Sequence, residues 1–139
     1  MIDHSEALGR LCRQFDIETL YVFGSRAREV QEWVSGPRPS LISKSTDVDV
    51  GVKASRRLTA HDKVRLSLAL EDLLGVTRVD LVSLSDTDPF LAANIVRGER
   101  LYARDAYQAD EYDLYVLRRA GDLAPLERER MALILGGSR

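Results

Sequence analysis

The chain has 139 residues, a length that fits one domain with a conventional core. Its net charge of −2 argues against a dedicated nucleic-acid binder, which would carry a basic excess or stripe. Cys12 is the only cysteine, which excludes an intrachain disulfide or a cysteine-based zinc cluster, and no run approaches the ~18 apolar residues of a membrane span.

Residues 1–6 lack the basic-then-apolar character of an export signal, so the expected location is the cytoplasm. Leu8, Leu11, Cys12 and Phe15 recur at helical spacing and predict an amphipathic helix over about residues 3–14. Cys12 lies on its apolar stripe and reads as a small buried hydrophobe. Residues 19–23 form a first strand, cut off by Gly24-Ser25, and a second helix is expected from Ser25 to about Trp33. Gly36, Pro37 and Pro39 among serines make residues 35–46 a loop. The pattern of Asp47-Val48-Asp49-Val50-Gly51-Val52 is a second strand.

Thr59-x-x-Asp62 has the form of a capping box, with Asp in place of the usual Glu, and introduces a helix bearing Leu66, Leu70, Leu73 and Leu74. Gly75 ends that helix, and His61 in its first turn reads as a solvated surface histidine. A third strand spans residues 78–83. Asp88-Pro89 supplies an N-cap and an N1 proline for a short helix over residues 89–97, closed by Gly98. Leu101-Tyr102 adds a last edge strand. From Asp105 the chain turns helical, and Gly121 with Pro125 predicts two segments, residues 105–120 and 122–135. Tyr107, Tyr112 and Tyr115, with Arg118 and Arg119 beside them, fit either core packing or a partner surface.

The chemistry is concentrated between residues 20 and 52. A strand that ends in Gly-Ser and opens a helix offers backbone N–H groups to phosphate. Gly24 permits close approach, and Ser25 adds a hydroxyl donor. Period-two alternation puts Asp47 and Asp49 on one face of their strand and the valines on the other. Two neighbouring carboxylates repel and call for a counter-cation. Mg²⁺, a hard ion with oxygen ligands, suits them when phosphates complete its shell. Asp80 is the one acid inside the apolar strand that follows, and it joins the same face if the two strands are neighbours.

Gly24-Ser25, Asp47-x-Asp49 and Asp80 on a later strand resemble the motif set of the minimal nucleotidyltransferases of the polymerase-beta superfamily. Within them the chain is most similar to the MntA-type antitoxins. The resemblance implies an α/β fold, a small mixed sheet flanked by helices, with a nucleotidyltransferase core over residues 1–104. Residues 105–139 would be a C-terminal helical extension in the same compact unit. It implies catalytic, metal-binding roles for Asp47, Asp49 and Asp80 with two Mg²⁺ ions, and nucleotide binding by Gly24, Ser25, Arg26 and Arg28. Arg26 and Arg28 read equally well as exposed helix arginines.

The implied activity is transfer of AMP from ATP to a hydroxyl of a HEPN-domain toxin, with no direct nucleic-acid or membrane partner. Two other readings stay open: transfer to a small molecule such as an aminoglycoside, and a binding-only antitoxin that occludes its partner. The stretch between Ser25 and Asp47 is longer than the family's usual spacing. It is either a surface elaboration or a loop that shapes access to the site.

Overall fold

The computed structural model of the chain describes residues 4–36 and 47–136. In chain order it contains α1 (Ser5–Gln14), β1 (Ile17–Phe23), α2 (Ala27–Ser35), β2 (Val48–Ala54), α3 (Ala60–Leu74) and β3 (Val79–Ser83). A single 3₁₀ turn, α4 (Pro89–Val96), β4 (Glu99–Ala103) and α5 (Ala106–Ile134) follow. The strands form one mixed sheet in the order β3-β2-β1-β4. β1 runs antiparallel to both β2 and β4, whereas β2 and β3 are parallel and joined by α3 as a crossover. The expected mixed sheet with flanking helices is therefore present.

The valines of β2 fix how the sheet is turned. Val48, Val50 and Val52 are each at most 1% exposed and pack with Leu20 and Val22 of β1. They meet Leu8 and Cys12 of α1, Val30 and Val34 of α2, and Leu66 and Leu70 of α3. Burying a valine fully contributes roughly 1.5–3 kcal/mol. A one-residue slip of β2 toward its start would put Asp47, Asp49 and Gly51 in place of those valines, and each carboxylate costs several times more to bury unpaired. The alternation thus decides which face Asp49 occupies. The opposite face is covered by α4 and α5, where Tyr21 packs with Ala92, Ala93, Ile95, Val116 and Ala120.

Local signals set several boundaries. Thr59 Oγ1 accepts the Asp62 N–H while the Asp62 carboxylate accepts the Thr59 N–H, so the box is complete with Asp in place of Glu. Asp88 caps α4 by accepting from Phe90 and Leu91, with Pro89 next to it. Cys12 is buried and its thiol is pushed up to about 12 by that burial, as expected of a core residue. His61 is exposed on the first turn of α3.

Three expectations need correction or fall elsewhere. α2 begins at Ala27 rather than Ser25, because Gly24 to Arg26 form the turn that reverses the chain out of β1. The two C-terminal segments are one helix, α5, which runs through both Gly121 and Pro125. Its first half is anchored by Ala109, Val116 and Ala120 and by the Tyr21 hydroxyl, which donates to Asp113. Most of the loop expected at residues 35–46 lies outside the described residues.

The capping box carries a pH signature. The Asp62 carboxyl is held down to about 2, first by the Thr59 N–H and next by Arg56. A depressed folded value adds stability that is present above the unfolded range near ~3.9 and is lost as pH falls through the folded value. Asp62→Asn is therefore expected to lower Tm at pH 7, and the deficit to shrink as pH falls from 4 toward 2. Melting curves across that range check it; a constant deficit would show that charge plays no part.

Candidate active site

β1 delivers its end directly onto the second aspartate of β2. Phe23 pairs with Asp49, and Asp49 in turn pairs with Asp80 across the parallel β2–β3 ladder. Beyond Phe23 the chain turns at Gly24, whose φ of +82° is in the left-handed region. The Ala27 N–H donates to the Gly24 carbonyl at 3.3 Å and closes the turn into α2. A Cβ on residue 24 would lie 2.7 Å from Oδ2 of Asp49. Glycine is thus required twice here, for its backbone and for the carboxylate lying against it.

The β2–β3 register extends one residue further back. Val48 pairs with Val79, and the Val48 N–H donates to the Arg78 carbonyl at 3.1 Å. Asp47 therefore sits beside Arg78, as Asp49 sits beside Asp80. With period-two alternation the four side chains form a two-by-two block on one face of the strand pair. Arg78 Nε is 3.0 Å from Asp80 Oδ1 and 3.9 Å from Asp47 Oδ2. Sequence reading missed the arginine, although Arg78-x-Asp80 repeats the spacing of Asp47-x-Asp49.

No described side chain pairs with Asp49. Its carboxyl is raised above the usual range, chiefly by burial and then by the neighbouring charges of Asp80 and Asp47. The three carboxylates of the block are thus an all-oxygen donor set in which Asp49 has no partner among the described residues, which is the chemistry a hard divalent cation satisfies. Among the described residues no three acidic, imidazole or thiol groups converge tightly enough to share one ion. The Arg78 guanidinium lies between Asp47 and Asp80 instead.

The two arginines after the turn differ. Arg26 is 7% exposed and donates through both Nε and Nη2 to the Glu29 carboxylate, each at 3.1 Å. Arg28 has a side chain 88% exposed and stands 3.7 Å from Glu32, so its guanidinium is held loosely. Gly24 and Ser25 are exposed, and Arg26 at the N-cap of α2 makes no side-chain cap hydrogen bond. First-turn N–H groups of such a helix lack intrahelical partners and are suited to phosphate. A separate cleft of about 110 Å³, lined by Glu18, Lys53, Arg104 and Tyr112, lies at the other end of the sheet.

Residues 6–107 match the family model described as polymerase beta, nucleotidyltransferase. The chain belongs to the polymerase beta nucleotidyltransferase family. A solved structure described as a minimal nucleotidyltransferase is 36% identical, with a TM-score of 0.50, over 68% of this chain and 85% of that one. A toxin–antitoxin structure with AMP-PNP is 23% identical with a TM-score of 0.66, covering 99% of this nucleotidyltransferase and all of that chain. A complex of the tri-AMPylated Shewanella oneidensis HEPN toxin with its MNT antitoxin is 22% identical with a TM-score of 0.63, over 98% of this chain and 97% of that one. These last two likenesses establish a shared fold that includes the region of α5. No curated protein matches the sequence. No helix among the described residues of this nucleotidyltransferase is long and apolar enough to cross a membrane.

Proposed function

We propose that this nucleotidyltransferase is the antitoxin of a HEPN/MNT pair, an Mg²⁺-dependent protein adenylyltransferase acting in the cytoplasm. It moves AMP from ATP onto a tyrosine hydroxyl of a HEPN ribonuclease toxin. The observation that carries the reading is the line formed by the Gly24–Ser25 turn, Asp49 and Asp80 across three adjacent strands. Family membership supplies the reaction class, and the similar structures, with AMP-PNP in one and an AMPylated toxin in another, support the donor and acceptor.

Each residue has a role that follows from its place. Gly24, Ser25 and the first N–H groups of α2 hold the β- and γ-phosphates. Arg28 is exposed and loosely paired, so it can reach them as well. Arg26, held by Glu29, braces the turn from below. The chemistry that Mg²⁺ supplies when bound by Asp47, Asp49 and Asp80 is neutralisation of charge on the phosphate oxygens. The acceptor oxygen bonds to the α-phosphorus as the α–β anhydride bond breaks and pyrophosphate leaves. Asp80, on the far side of Asp49 from the phosphate turn, takes the acceptor's proton.

A partner surface is available on α5. Leu126, Leu133, Ile134 and Leu135 are each more than 60% exposed, with Met131 beside them. Tyr107 and Tyr115 are also exposed, whereas Tyr112 is partly buried, so the tyrosine stripe divides between partner face and packing. A folded protein brings its own binding surface to so small an enzyme better than a metabolite does.

Asp80→Asn is expected to keep Mg²⁺-ATP binding at reduced strength while the transfer rate collapses. Isothermal titration beside single-turnover kinetics checks this, and loss of nucleotide binding would reverse the assignment. The function itself is tested by the mass of the copurified toxin after incubation with this protein, ATP and Mg²⁺. A gain of one or more AMP units is expected. A neutralised but unmodified toxin would favour occlusion, and transfer to an aminoglycoside would favour a resistance enzyme.

A further inference from the structure

The arginine in the block of acids has no place in the reaction just described, and its position is informative. Its main chain is fixed, since the Arg78 carbonyl accepts from Val48 at the start of the ladder. Its side chain is not, being 66% exposed. The guanidinium nevertheless reaches two of the three carboxylates, Asp80 closely and Asp47 more distantly. Arg26 cannot substitute for it, because both arms of its fork engage Glu29. Parallel pairing places Arg78 beside Asp47 whatever rotamer it adopts.

We propose that Arg78 is the resident counter-cation of the acid block, holding Asp47 and Asp80 until a divalent ion displaces it, and thereby setting the metal affinity of the empty enzyme. The inference rests on the reading of Asp47, Asp49 and Asp80 as metal ligands. Exposure makes the displacement cheap: an ion pair in contact with water is worth little, and a doubly charged ion outcompetes a single charge for the same oxygens. Among the described residues no side chain pairs with Asp49, which makes it the natural first contact for the incoming ion. Removing the arginine removes a competitor and a like charge together, so affinity for the ion rises while the metal-free fold loses a brace.

The test is Mn²⁺ titration of the nucleotide-free full chain by calorimetry at fixed ionic strength, so that no phosphate contact of Arg78 enters. Arg78→Gln is expected to bind Mn²⁺ about fivefold more tightly, the upper range for one exposed ion pair. Its melting temperature in EDTA should fall. Arg78→Lys, which keeps the charge, should restore wild-type affinity. Equal or weaker Mn²⁺ binding by Arg78→Gln would overturn the proposal, including the case where only the melting temperature moves. If the wild type and Arg78→Gln, both folded, take up no Mn²⁺, the metal-ligand reading itself fails and this inference with it.

Discussion

An Asp47→Asn, Asp49→Asn variant is expected to fold normally and to lose nucleotide transfer by a factor on the order of 10³ or more, the scale of removing fixed charge stabilisation from a reacting centre. Stability should move the other way. Asp49 is raised by burial first and by the charges of Asp80 and Asp47 second. A raised folded value means its contribution is fully present below the unfolded range near ~3.9 and lost as pH rises through the folded value. Asp49→Asn removes that penalty. In EDTA its melting temperature should therefore exceed the wild type's at pH 7, and the gap should close as pH falls toward 4. Retained transfer by the double variant would remove these aspartates from the mechanism.

The second large effect is expected from one methyl group. Gly24→Ala forces an L-residue into the left-handed region, at a cost of roughly 1–2 kcal/mol, and drives its Cβ against Asp49. Backbone strain alone would lower the melting temperature and leave chemistry untouched. A displaced carboxylate would do more, because a misplacement of about 1 Å at a reacting centre can cost about 10²-fold. Gly75 provides the control: its φ is +69°, yet a Cβ there meets nothing within 4 Å. Gly75→Ala should show comparable destabilisation with normal transfer, while Gly24→Ala should lose about 10²-fold in kcat. Matching activities for the two variants would mean that Gly24 serves the turn and not the carboxylate.

What was legible in the sequence was what depends on near neighbours or on strict alternation. Thr59 with Asp62, and Asp88 with Pro89, are complete devices within four residues, and both helices start where these pairs place them. The shared face of Asp49 and Asp80 followed from period two once their strands became neighbours. Gly121 and Pro125 misled because they are breakers only on local grounds. Proline removes one helical hydrogen bond and crowds the carbonyl four residues back, here that of Gly121. Both residues are exposed, so water can serve that carbonyl, and the anchored first half of α5 carries the helix through. The burial of Arg26 was equally hidden. Glu29 at i+3 is visible in the sequence, but the packing that covers their ion pair is tertiary.

The continuity of α5 has a consequence for how the molecule breathes. Up to Ala120 the helix is held by buried side chains, whereas residues 126–135 present apolar groups to water. A helical stretch shorter than about 12–15 residues is marginal without tertiary support. Amide hydrogens there should exchange with deuterated solvent at rates approaching those of a free peptide, while those around Val116 exchange only through larger openings. A partner that covers Leu133 and Ile134 would slow the exchange of that terminal stretch selectively, leaving the rates around Asp49 and Asp80 as they were.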